Sequence, residues 1–186
     1  MKFNFFLIAA LFYVQLSAQI IDNLDVAIQS ESISYPFSRV SPIHPSIQIG
    51  TSFRKRLKEK SERNYNLYLG FYHHKDVENG IYLRGEYAHT FIIAKKVGVI
   101  LPIGLGYLHT FYPGELFSQN NDGSFSKVDQ LGRAHIIATT GIGLSYRGFK
   151  NIEPYIQHDF MAQYPFGETI PLLPHSFLRL GVKFKI

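Results

Sequence analysis

The sequence predicts an all-β chain: an antiparallel up-and-down β-barrel of eight strands that crosses a membrane. Three observations predict it. The final stretch, Ser176 to Ile186, alternates Leu178, Leu180, Val182, Phe184 and Ile186 with Arg179, Gly181, Lys183 and Lys185. This is the period of a strand with one apolar and one polar face, and a tilted strand of about ten residues spans the hydrocarbon layer of a bilayer. Earlier segments repeat the alternation, and the chain opens on a pattern that reads as an export signal.

That signal consists of Lys2, an apolar run from Phe5 to Val14, and then Leu16, Ser17, Ala18 and Gln19. A basic start, an apolar core and small residues at the exit predict cleavage after Ala18. Residues 1–18 are then a signal peptide and 19–186 a single barrel domain. The apolar run is shorter than the ~20 residues of a spanning helix. The chain has no cysteine, which excludes a lipoprotein signal and disulfides. Export without cysteines suits a Gram-negative cell envelope better than a small secreted scaffold. The formal net charge is +5, one unit lower without Lys2, and the basic residues are spread over turns and strand interiors. A nucleic-acid footprint would be clustered, so none is expected. Aromatic content is 15%, all Phe and Tyr, which suits strands and membrane-interface belts.

The elements follow in order. Leu24, Val26 and Ile28 alternate with Asp25, Ala27 and Gln29 in a short first strand. The connection from Ser32 to Pro45 carries Pro36, Pro42 and Pro45, which oppose regular pairing. The second strand sets Ile47, Ile49, Thr51 and Phe53 against Gln48, Gly50, Ser52 and Arg54, and the charged run Lys55 to Arg63 reads as a solvated turn. The third strand sets Tyr65, Leu67, Leu69 and Phe71 against Asn66, Tyr68, Gly70 and Tyr72. A hairpin follows over Lys75 to Gly80, with Asn79-Gly80 as its turn signal. The fourth strand carries Ile81, Leu83, Tyr87 and Phe91 opposite Tyr82, Arg84, Glu86, Ala88 and Thr90, and turns at Ala94-Lys95. The fifth runs from Val97 to Tyr107. Tyr112 to Gly132 is the longest polar stretch. The sixth strand runs from Arg133 to Tyr146, the seventh from Ile152 to Tyr164, and a loop from Pro165 to Pro174 precedes the terminal strand.

Alternation alone also fits a soluble barrel, apolar within and polar without. The inverted arrangement is favoured because one face carries Arg84, Glu86, Glu153, Asp159, Arg179 and Lys183 among glycines, while the other is aliphatic or aromatic. Connections one, three, five and seven include the longest, as expected of external loops, and an even strand count puts both termini in the periplasm. The charged second connection is longer than this scheme expects. Two aromatic girdles follow: Phe53, Tyr65, Phe91, Tyr146 and Phe184 at the periplasmic ends, and Tyr107, Phe111 and Tyr164 at the external ends.

The Ser17-Ala18-Gln19 exit, the alternating strands and the apolar terminal strand resemble the small eight-stranded, porin-like outer-membrane barrels of Gram-negative bacteria. The signal exit and aromatic-rich strands are most similar to those of the Bacteroidota. The resemblance is one of pattern over the mature chain and brings no catalytic motif. It implies residence in the cell outer membrane, contact with membrane lipid and lipopolysaccharide, and insertion by the barrel-assembly machinery through the last strand. In that class the last strand often ends in Phe, and Ile186 departs from this.

Eight strands enclose an interior just filled by side chains. A simple register places Asp159 opposite Arg179 and Glu153 opposite Lys185, giving a lumen-filling ion-pair network; the alternative is a narrow ion or solute channel through the same charges. His73-His74 lies at an external hairpin end, where metal capture would need further ligands. His158 falls on the lipid face, with Thr140 as the expected hydrogen-bond partner unless a bulge near Pro154 turns it inward. The resemblance also raises the outer-membrane lipid A deacylases, whose His-x-Ser-Asn arrangement is replaced here by His158-Asp159-Phe160-Met161. Ser176, the nearest serine, is expected several residues away and out of reach. The reading is a monomeric, non-enzymatic barrel without cofactor or metal, acting structurally or through the external loop Tyr112–Gly132. A lipid-modifying hydrolase near His158 and a soluble ligand-binding barrel are the alternatives.

Overall fold

Alternating side chains leave each strand one face for lipid and one for the interior, and closure removes the unpaired edge. The computed structural model describes residues 21–35, 43–94, 96–129, 131–167 and 169–186, and of residues 54 and 55 the backbone only. The expected signal peptide, together with Pro36, Pro42 and Lys95, lies outside the described residues.

The barrel strands are β1 (Ile21–Ser32), β2 (His44–Lys58), β3 (Ser61–His73), β4 (Asn79–Ile93), β5 (Val97–Phe111), β8 (Arg133–Tyr146), β9 (Ile152–Tyr164) and β10 (Leu173–Lys185). They close in the order β1-β10-β9-β8-β5-β4-β3-β2, all antiparallel. The short turns lie at one rim together with Ile21 and Ile186, the first and last described residues, and the longer connections start from the other. The long connection between β5 and β8 contains a separate hairpin, β6 (Leu116–Gln119) with β7 (Phe125–Val128), which the alternation did not announce because both strands are short.

The expected faces are observed: Leu24, Val26 and Ile28 are exposed on the exterior while Asp25, Ala27 and Gln29 are buried inside. Three local expectations are corrected. The charged run Lys55 to Arg63 is not a loop, since β2 continues to Lys58 and β3 begins at Ser61, with a register shift between Arg54 and Arg56. At this rim, beyond the apolar belt, charged side chains are compatible with strand pairing, and the second connection is as short as the other turns beside it. Asn79-Gly80 is not the turn: Asn79 pairs with His73 and Gly80 with Tyr72, and the chain reverses at residues 74–78, where the His74 and Glu78 backbones bond. A Cβ on Gly80 would strike the Tyr72 ring, so this glycine makes room for an aromatic. Third, the β9–β10 register differs by two residues from the simple one, with Asp159 opposite Phe177, Arg179 opposite Gln157 and Glu153 opposite Lys183.

Pro102 interrupts the β5–β8 ladder between Ile100 and Ile103, because proline has no N–H to give. The Thr140 hydroxyl donates to the Pro102 carbonyl at 3.1 Å.

Candidate functional site

Three chemically distinct regions sit on this scaffold: a charged network in the lumen, a His/Glu cluster at the long-loop mouth, and a polar pair on the outer wall.

In the lumen, Arg84, Glu86, Glu153, Asp159, Arg179 and Lys183 all point inward and are buried. Four of them join directly. Arg179 bonds the Asp159 carboxylate diagonally rather than across the ladder, and Arg84 lies 3.3 Å from the same oxygen and 3.4 Å from Glu86. Gln157 donates to Asp159 at 2.6 Å and Asn66 to Glu86 at 2.9 Å. Buried charges need this degree of pairing and hydrogen bonding to be tolerated. Glu153 belongs elsewhere, 3.4 Å from Arg147, which also bonds Glu62 near the short-turn rim. Lys183 lies over the Tyr155 ring at 5.5 Å. Sequence reasoning missed Asp25, which is fully buried and accepts hydrogen bonds from Tyr155 at 2.7 Å and Tyr68 at 3.1 Å. Its inward parity in the first strand was the available signal.

Above this network lies an apolar layer of Tyr72, Tyr82, Leu108, Ile137, Met161 and Phe177, one from each of six neighbouring strands. Inward positions along β10 show the stacking: His175, Phe177, Arg179, Lys183.

His175 begins the mouth cluster. Its ring bridges Glu31 Oε1 at 2.9 Å and Gln163 Oε1 at 2.7 Å. Glu31 on β1 faces His44 on β2, whose Nδ1–H donates to the Glu31 carbonyl at 3.1 Å and lies 3.7 Å from Glu31 Oε2. The His44 ring stacks on His74 with centroids 3.8 Å apart. Glu31, His44 and His74 are all buried, and one ligand-type atom from each falls within 4.8 Å of the other two. Burial holds the His74 imidazole below its ordinary pKa. His73, its sequence neighbour, points away to Asn79. The sequence reading paired the two neighbours, whereas the barrel separates them and supplies His74 with partners from β1 and β2.

On the outer wall, β9 has no bulge and His158 faces out, opposite Leu178 and Ile142. Ser176 is within reach after all: its Oγ lies 2.9 Å from His158 Nε2. The two-residue register difference brings it one diagonal step away, while Thr140 is engaged with Pro102. Ser176 is only 2% exposed. Of the girdle residues, Tyr65, Phe91, Tyr107, Tyr146, Tyr164 and Phe184 are exposed on the exterior, and Phe53 and Phe111 are half-buried there.

No family model matches the chain, and no curated protein matches it. Solved structures do. Neisserial surface protein A (NspA) is 15% identical, with a TM-score of 0.56, over 89% of this chain and 96% of its own. The outer membrane enzyme PagL is 9% identical at a TM-score of 0.52, over 88% and 99%. Ail, the attachment invasion locus protein of Yersinia pestis, is 10% identical at 0.50, over 89% and 98%. At such identities the likeness speaks for the fold, and it agrees with the apolar exterior and charged interior seen here. The chain has the fold of the small eight-stranded outer-membrane β-barrels of Gram-negative bacteria.

Proposed function

We propose that this protein is a non-enzymatic outer-membrane barrel whose role, structural or in surface interaction, is carried by its external loops. One observation carries the reading: the β6–β7 hairpin leaves the barrel as a ribbon with every residue exposed. It presents Phe117 and Phe125 together with Leu116 and Val128, and Leu131 at its base is 91% exposed. A cavity of about 550 Å³ beside that base is lined by Val77, Tyr112, Leu116, Arg133 and Phe166 among others. Exposed aromatics on a rigid scaffold are a common basis for contact. The packed lumen supports this reading over a channel, because the apolar layer and the ion network lie one above the other. The test is to replace residues 115–129 by a short turn and compare cell–cell and cell–surface adhesion. Reduced adhesion with a folded, heat-modifiable barrel is expected; adhesion unchanged by the replacement would overturn the role.

The His158–Ser176 bond favours a second reading, a lipid hydrolase. Ser176 Oγ would attack an acyl ester carbonyl while His158 Nε2 takes its proton and returns it to the leaving alcohol. A groove on the same wall, lined by Tyr87, Ile103, Leu105, Ala138, Phe160 and Ala162, has the apolar lining an acyl chain needs. The near-complete burial of Ser176 weighs against it, since a lipid ester must reach the oxygen. The bond also serves simply to satisfy two polar groups facing hydrocarbon. Lipid A acylation unchanged in a His158→Gln strain would end the hydrolase reading.

A further inference from the structure

The mouth cluster contains groups whose hydrogen bonding is incomplete. Glu31 is fully buried, and its Oε2 has no hydrogen-bond partner among the described residues. His74 is 8% exposed, and its Nδ1 has none among them either. Leaving a buried carboxylate oxygen and an imidazole nitrogen unsatisfied is costly, and such groups ordinarily find a partner. Here they lie in one cluster, with the stacked His44 ring beside them.

The barrel builds this convergence from three adjacent strands. Glu31 and His44 are ladder partners, and the β2–β3 register continued two places beyond Ser46–Tyr72 sets His44 against His74. All three thus lie at one level, just above the apolar layer, in a site formed from strand ends and the first residue beyond β3.

We infer that Glu31, His44 and His74 form a binding site for a divalent transition-metal ion of the zinc class. Two imidazoles and a carboxylate are a ligand set that zinc accepts, with bonds of about 2.0–2.2 Å and a fourth position for water. Magnesium and calcium, which require oxygen ligands, are poorly served by it. The ion would bind Glu31 Oε2, which lacks a hydrogen bond, while His175 holds the other oxygen at 2.9 Å. Such a bond from a neighbouring side chain orients a ligating carboxylate. Bound there, the ion ties the first external connection to the His74–Glu78 reversal. The inference stands apart from the surface-interaction role and does not depend on it.

The test uses untagged, folded protein in detergent, stripped with chelator and titrated with Zn²⁺ against a chromophoric competitor. One equivalent per barrel is expected, undisturbed by excess Mg²⁺ or Ca²⁺. His74→Asn, beyond the end of β3, should weaken uptake by more than the roughly 10- to 100-fold lost with a supporting residue. Glu31→Gln should do the same, and its folded state is checked by heat-modifiable migration. Should that variant fail to fold, zinc-edge X-ray absorption on the wild-type complex decides, with scattering from two imidazoles expected. Absence of stoichiometric uptake, uptake unchanged in His74→Asn, or a spectrum without imidazole scattering would each overturn the site.

Discussion

Arg179 reaches the carboxylate of Asp159 diagonally, although its own ladder partner is Gln157 and that of Asp159 is Phe177. Asp159 is thereby held between two guanidiniums, with Arg84 at 3.3 Å on the neighbouring side of the lumen. The arrangement ties β10 to β4 across the barrel interior.

Arg179→Met removes one cation and leaves a buried carboxylate half-compensated. The expected loss is about 3–5 kcal/mol, read from urea unfolding in lipid micelles. Adding Asp159→Leu to that variant should recover part of it, because the uncompensated charge is then gone.

Gly104 faces the lumen, where a Cβ would come within 2.7 Å of the Gly85 carbonyl oxygen and the Thr139 hydroxyl. Backbone cannot yield there as a flexible side chain would. Gly104→Ala is expected to cost about 1–3 kcal/mol through overpacking, seen as a lower urea midpoint with an unchanged slope.

Ser176→Ala takes the hydroxyl from His158 on the lipid face and should cost about 1–3 kcal/mol. The double variant His158→Phe with Ser176→Ala should lie close to wild type, since no polar group of the pair then remains. A double-mutant cycle by chemical unfolding measures the coupling.

The β6–β7 hairpin is hydrogen-bonded to itself and forms its own sheet. Its turn uses Gly123 at φ +82°, and Asp122 accepts from the Ser124 hydroxyl at 2.6 Å. Trypsin added to intact cells is expected to cut at the exposed Lys127. The nicked barrel should keep its unboiled gel mobility, because such exposed tips contribute little to the core.

Conductance measured in planar bilayers should stay at background for the wild type, given the layer formed by Tyr72, Tyr82, Leu108, Ile137, Met161 and Phe177. Trimming Met161 and Phe177 together to Ala should raise it if the underlying ion network admits water.

Parity was legible in the sequence. Alternation along each strand marks which residues face lipid and which face inward, because the strand period of two leaves no other choice. Leu24, Val26 and Ile28 could be placed outside, and Arg84, Asp159 and Arg179 inside, without any knowledge of pairing. The Asn79-Gly80 and Lys55–Arg63 expectations failed because local turn chemistry yields to ladder pairing once the strands extend past the bilayer.

Which inward residues meet was settled by tertiary structure. A two-residue change of register preserves every face, so alternation could not distinguish Asp159 opposite Arg179 from Asp159 opposite Phe177. The same two residues separate a Ser176 out of reach from one bonded to His158. Glu31, His44 and His74 lie far apart in sequence and share only their inward direction. Barrel closure and the registers of β1, β2 and β3 bring them to one level, which is a property of strand stagger and not of any single strand.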